Sequence, residues 1–223
     1  MKKVTIVLEE KKLPHVQYEN GNVMRSFNVY HDDLLHLIQQ STFEEEKKIE
    51  TVLISPAFPP NTVKYGEKSD GTSIIFIQQP EASWDITYHR QSFRDVPFPN
   101  LIFGFRIKKQ VLTGKFVVAY KDRFLRDKTP LYRFPYSNVY NEQGSMCFYE
   151  NIEYKDLVQL QTFIHRWIHT DMNDHLYGED VNLSGKPLRQ LFEEMSGQPF
   201  NYDILKPINL NFEEWSNSLI NKF

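Results

Sequence analysis

The 223-residue chain has one cysteine, Cys147. A lone thiol cannot form an intramolecular disulfide framework, and it excludes metal sites built from several cysteines, so the fold must rest on its core. Long apolar runs are missing too. No stretch approaches the roughly 20 residues that a membrane helix needs. The apolar start, residues 4–8, follows two lysines but meets Glu9 and Glu10 at once, which is too short for a signal peptide. No excess of positive charge is present: 26 Lys and Arg against 29 Asp and Glu give a net charge of -3. Such a chain has no field to gather phosphates, and nucleic acid is not an expected partner. Internal repeats and low-complexity segments are absent as well. These absences predict a soluble, cytoplasmic protein with its thiol kept reduced and no membrane partner.

Aromatics are plentiful, with 17 Phe and 12 Tyr in a composition that is 40% hydrophobic. That content predicts a folded protein of one medium domain, or one domain with an extension. Residues 4–8 and 23–30 are β-branched and aromatic runs around the turn signal Asn20-Gly21-Asn22, predicting an opening hairpin. A short helix follows over 31–38, with Asp32 and Asp33 near its positive end. The charged run 44–48 reads as a solvated face, and the proline-rich residues 56–60 mark the best internal boundary. The expected division is therefore an N-terminal extension, 1–60, and a core, 61–223. Within the core, four strands are predicted at 72–79, 83–89, 101–107 and 111–120, arranged as an antiparallel meander. Beyond Cys147 the period changes: Leu157, Leu160, Phe163, Ile164, Trp167 and Ile168 recur at helical spacing. Shorter helices are predicted at 188–195 and 212–219. Strands followed by helices give an α+β fold class.

The segment Pro135-Tyr-Ser-Asn-Val-Tyr-Asn-Glu-Gln-Gly-Ser-Met-Cys147 carries the chemistry. A thiol that is to hold an acyl group needs an exposed loop, an amide near the developing oxyanion and a turn joining them. Asn138, Gly144 and Cys147 supply these elements. The opposing reading is a packed thiol, because free cysteine is among the most buried residue types and Met146 and Phe148 flank this one.

A strand, Asn-Val-Tyr, a turn with glycine and then Met-Cys resembles the core of ubiquitin-conjugating enzymes, in which a meander precedes a His-Pro-Asn element and a catalytic cysteine. Here the tripeptide is Tyr136-Ser137-Asn138, so only the asparagine is kept. A closer resemblance rests on Trp84, Pro99-Asn-Leu-Ile-Phe103, Leu131-Tyr-Arg-Phe-Pro-Tyr-Ser-Asn-Val-Tyr140, Gly144-Ser-Met-Cys147 and Phe163-Ile-His-Arg-Trp-Ile-His169. In their order these are similar to the prokaryotic ubiquitin-conjugating-like family that includes PRTRC system protein B, over about residues 50–178. The resemblance implies a ubiquitin-conjugating-like fold: four-stranded meander, irregular Cys-bearing loop, then helices. It implies a bacterial conjugation system, of the kind found in plasmid or antiphage defence operons. There Cys147 would accept a ubiquitin-like protein from a ThiF-like activating enzyme as a thioester and pass it to an amine. Asn138 would order the loop or donate to the oxyanion, and His169 would deprotonate the amine or position the loop. No cofactor is implied, and the acceptor stays open.

Two rival readings share these residues. One is a silent relative that keeps the loop as a binding surface, and the other is a Cys-His hydrolase pairing Cys147 with His165 or His169. His165 and His169 share a helical face, with His175 nearby, but no glutamate follows His165 and no second cysteine completes a site, so no metal is expected. Tyr136 and Tyr140 read as loop-packing aromatics, and Trp84 and Trp167 as core. The acidic Glu44–Glu46 and the basic Arg123, Arg126 and Lys128 read as solvated faces.

Overall fold

The computed structural model describes residues 2–40, 55–149, 153–178 and 180–221. They fall into two compact units, Met1–Ile54 and Ser55–Phe223. The charged run 44–48, with Glu44–Glu46, lies outside the described residues.

The first unit has strands β1 (Lys2–Val7), β2 (His15–Asn20) and β3 (Val23–Asn28), then helix α1 (His31–Gln40). The expected opening hairpin is thus a three-stranded antiparallel sheet, in the order β1-β2-β3. The Gly21-Asn22 turn joins β2 to β3, pairing Asn20 with Val23, and Gly21 adopts the φ of +59° that such a tight reversal demands. The middle strand was hidden because Val16 and Tyr18 alternate with polar residues over only six positions. Asp32 and Asp33 occupy the first turn of α1, where carboxylates complement the helix dipole. Leu34 of α1 and Val16 of β2 are buried in this unit.

The second unit is built on a six-stranded antiparallel sheet. Its strands are β4 (Thr62–Glu67), β5 (Thr72–Gln79), β8 (Asn100–Lys108), β9 (Val111–Tyr120), β10 (Pro130–Tyr132) and β11 (Pro207–Asn211), in the order β11-β10-β9-β8-β5-β4. A separate hairpin pairs β6 (Ala82–Tyr88) with β7 (Gln91–Phe98). This corrects the expected meander. The strand predicted at 83–89 leaves the main sheet, and β5 pairs directly with β8, Ile75 opposite Phe105. Pro97 lies inside β7, where a two-stranded ribbon leaves one edge free for a residue without an N–H.

Period-two alternation sends the main sheet's side chains into two cores. Ile75, Ile77, Phe103 and Phe105 belong to one, and Ile74, Phe76, Ile102 and Val118 to the other. The first core is covered by helix α2 (Leu160–Ile168), entered through a 3-10 turn at Leu157–Gln159, and by α3 (Leu188–Met195). The Asp156 side chain accepts from Val158 N at 3.0 Å and so caps that entry. The second core is covered by α4 (Phe212–Asn221), whose Phe212 and Trp215 stack edge-on against Phe76. Gly104 makes this approach feasible: a Cβ there would meet the Phe76 ring at 3.2 Å and the Trp215 ring at 3.4 Å. Each such buried aromatic contributes about 1.5–3 kcal/mol over an exposed one.

Trp215 also donates its indole N–H to Gln143 O at 3.0 Å, tying α4 to the segment that carries Cys147. Trp215→Phe keeps most of the apolar area but removes the indole donor, so urea unfolding should show a loss of about 1 kcal/mol. An unchanged midpoint would mean that the hydrogen bond is not a brace. Among the described residues no helix is long and apolar enough to cross a membrane.

Candidate functional site

Strand β10 pairs with β9 only at Ala119 and Tyr120, which leaves the rest of that edge open. Residues 144–146 take it. Val117 N donates to Gly144 O at 2.8 Å and Met146 N to Lys115 O at 3.0 Å, with Ser145 bridged to Phe116. Farther along, Tyr154 N donates to Gln110 O at 2.7 Å. The chain before Gly144 folds back on this edge: Cys147 N donates to Asn138 O and Tyr140 N to Ser145 O, both at 2.8 Å, with Val139 bridged to Met146. The Cys-bearing segment is therefore a paired hairpin, more regular than the irregular loop expected from sequence. Its turn is closed by Gly144 N donating to Asn141 O and by the Asn141 side chain accepting from Ser145 N.

Pairing decides where the sulfur points. Val139 and Met146 sit opposite each other and face the first core, 2% and 5% exposed. Their neighbours Tyr140, Ser145 and Cys147 share the other face. Cys147 is accordingly half-buried rather than sealed, because Met146 takes the core position. Its sulfur lies 3.0 Å from the Tyr140 hydroxyl, on the diagonal across the hairpin. Hydrogen bonds with Cys147 and Tyr149 push the Tyr140 phenol well above its ordinary range, so it stays protonated at neutral pH. Sequence reasoning treated Tyr140 as a packing residue, yet it is 47% exposed with its hydroxyl on the thiol. The available signal was its place seven residues before Cys147, which becomes a diagonal contact only when the pairing is known. Tyr136 is a packing residue as expected: fully buried, with its hydroxyl donating to Pro97 O.

Asn138 is in the left-handed region, φ +66°, a conformation that asparagine tolerates better than most side chains. Its carbonyl holds Cys147, and its buried side-chain amide reaches toward Asp171 O at 3.5 Å. Next to it, the Ser137 hydroxyl donates to Asn173 O. The arm carrying Asn138 is thus stapled to the loop that follows α2. His169 caps the C-terminus of α2, its Nδ1 2.9 Å from Asp85 O and its ring edge-on to Trp84. His165 stacks on the same indole. These contacts tie both imidazoles to β6. No hydrogen bond joins either of them to Cys147 among the described residues. His175 lies apart, in a shallow pocket with His89, Arg90, Asp171, Asn173 and Asp174. Trp167 is fully buried and Trp84 partly so, both in the first core.

Residues 34–171 match the family model of prokaryotic E2 family D. The matched stretch is well over half of the chain and contains Asn138, Cys147 and His169. No curated protein and no solved structure matches the chain significantly.

Proposed function

The chain belongs to prokaryotic E2 family D, and from that premise we propose that it is a thioester carrier for a ubiquitin-like protein in a bacterial conjugation system. The observation that supports this reading best is a half-buried thiol on a paired hairpin inside the matched stretch. In the first step the Cys147 thiolate attacks the C-terminal acyl carbon held by a ThiF-like activating enzyme. A new carbon–sulfur bond forms, and the enzyme's thiolate leaves. In the second step an acceptor amine attacks that carbon, gives up a proton to solvent and expels the Cys147 thiolate. Sulfur suits both steps, being nucleophilic near neutral pH and a ready leaving group.

In this reading Asn138 orders the hairpin through its main chain and offers its amide to the tetrahedral oxyanion. Its 3.5 Å contact with Asp171 O is long enough to be surrendered. Removal of one oxyanion donor costs about a hundredfold or more in rate. Asn138→Ala and Asn138→Gly should both charge but discharge to lysine about a hundredfold more slowly. Glycine keeps the left-handed turn at no steric cost, so it separates the amide from the backbone conformation. Single-turnover discharge as fast as wild type in the glycine variant would remove the amide from the mechanism. His169 serves as a positioning residue that pins β6 to the end of α2.

The function is tested by incubation with a ThiF-like activating enzyme, ATP and a ubiquitin-like protein ending in glycine. A product on a non-reducing gel that reductant dissolves supports the carrier. Failure to form it, with the activating enzyme itself charged, would turn the reading toward a silent binding module.

A further inference from the structure

The geometry points to Tyr140 as a further catalytic residue of the Cys147 site: its phenol O–H donates to the sulfur whenever the sulfur bears negative charge. The contact itself is seen in the structure, while the identity of the acyl group rests on the carrier reading above. The two atoms are 3.0 Å apart, inside the range for sulfur hydrogen bonds. With the thiol neutral, either partner can donate. Once the thiol is ionised it has no proton, and the phenol is the remaining donor of the pair. The phenol is held protonated by its own hydrogen bonds, so the donor survives at neutral pH.

The hairpin fixes the pair. Tyr140 N donates to Ser145 O, Cys147 N donates to Asn138 O, and Val139 and Met146 anchor both arms in the core. Neither side chain must move to make the contact. Both are reachable, since Tyr140 is half-exposed and Cys147 is half-buried. Tyr149 also hydrogen-bonds the Tyr140 hydroxyl, while the Asn138 amide reaches toward Asp171 O and His169 toward Asp85 O. Chemically, the phenol is not consumed. It lowers the energy of the thiolate before attack and again as the carbon–sulfur bond breaks, keeping its proton throughout.

Tyr140→Phe removes the hydroxyl and keeps the ring. The probe is the benzyl thioester of a short peptide ending in glycine, which can acylate Cys147 without an activating enzyme, followed by intact-protein mass spectrometry at pH 7. A parallel assay measures alkylation of Cys147 by iodoacetamide. Both rates are expected to fall about tenfold in Tyr140→Phe, as for loss of a hydrogen bond to a charged group. The thermal unfolding midpoint should match wild type. Equal rates in both assays overturn the proposal. Slower acylation with unchanged alkylation also overturns it, because the hydroxyl would then serve the oxyanion rather than the sulfur. Charging by the activating enzyme is scored separately, so a protein that never charges but shows the Tyr140 effect rejects the carrier reading and keeps this one.

Discussion

Gly144→Ala is expected to destabilise the second unit by about 3–5 kcal/mol and to lift the Cys147 hairpin from β9. The glycine has φ +85°, and a Cβ placed on it would lie 2.1 Å from Val117 O and 2.8 Å from Val117 C. Those neighbours are backbone in the middle of the main sheet, so the hairpin has to move. Moving it breaks the bonds from Val117 N to Gly144 O and from Met146 N to Lys115 O, and pulls Met146 out of the core. Left-handed strain adds about 1–2 kcal/mol. A melting point lower by about 10 °C and faster hydrogen exchange at the Val117 and Met146 amides would show the detachment. Gly185→Ala is the control. Its φ is +63° but nothing lies within 4 Å of the added carbon, so it should cost about 1–2 kcal/mol from strain alone. If the two variants melt together, the hairpin is not clamped to the sheet as described.

Cys147→Ser should abolish the reductant-sensitive adduct while leaving stability within about 1 kcal/mol of wild type. The two effects separate because the structure separates them: Met146 fills the core, and Cys147 lies on the outer face of the same strand. A serine hydroxyl is far less ionised than a thiol near neutral pH, so it attacks poorly. Any oxyester that does form resists reductant and surrenders its acyl group slowly to amines. The expected gel therefore shows either no adduct or a weak band that survives thiol treatment and disappears in mild base. Cys147→Ala should show none. A reductant-sensitive band of wild-type intensity in either variant would contradict the proposal outright, since no other thiol is available in the chain.

Local physics made much of the scaffold legible. Residues 72–79, 111–120 and 188–195 were bounded as the structure has them, because each is a strong period-two or helical pattern closed by turn residues. The pairing of β5 with β8 was not legible. Nothing in the alternation of Trp84, Ile86 and Tyr88 says whether β6 joins the sheet or folds over it with β7. Strands β10 and β11 were missed for the same reason: three and five residues, one interrupted register and two prolines leave too little pattern to read.

The candidate site divides in the same way. Asn138, Gly144 and Cys147 stand out in one dimension, since their residue types and spacing are properties of the chain. The direction of the sulfur is a property of the hairpin's register, where a shift of one residue would exchange Met146 and Cys147 between core and solvent. Composition and spacing therefore determined the α+β class, the lone thiol and its companion asparagine by themselves. Only tertiary structure decided that Tyr140 meets the sulfur, that Gly144 has no room for a methyl group, that His169 is tied to β6, and that α4 braces the turn through Trp215. Those contacts join residues brought together by strand pairing and core packing, and such encounters leave no mark in any single short window of sequence.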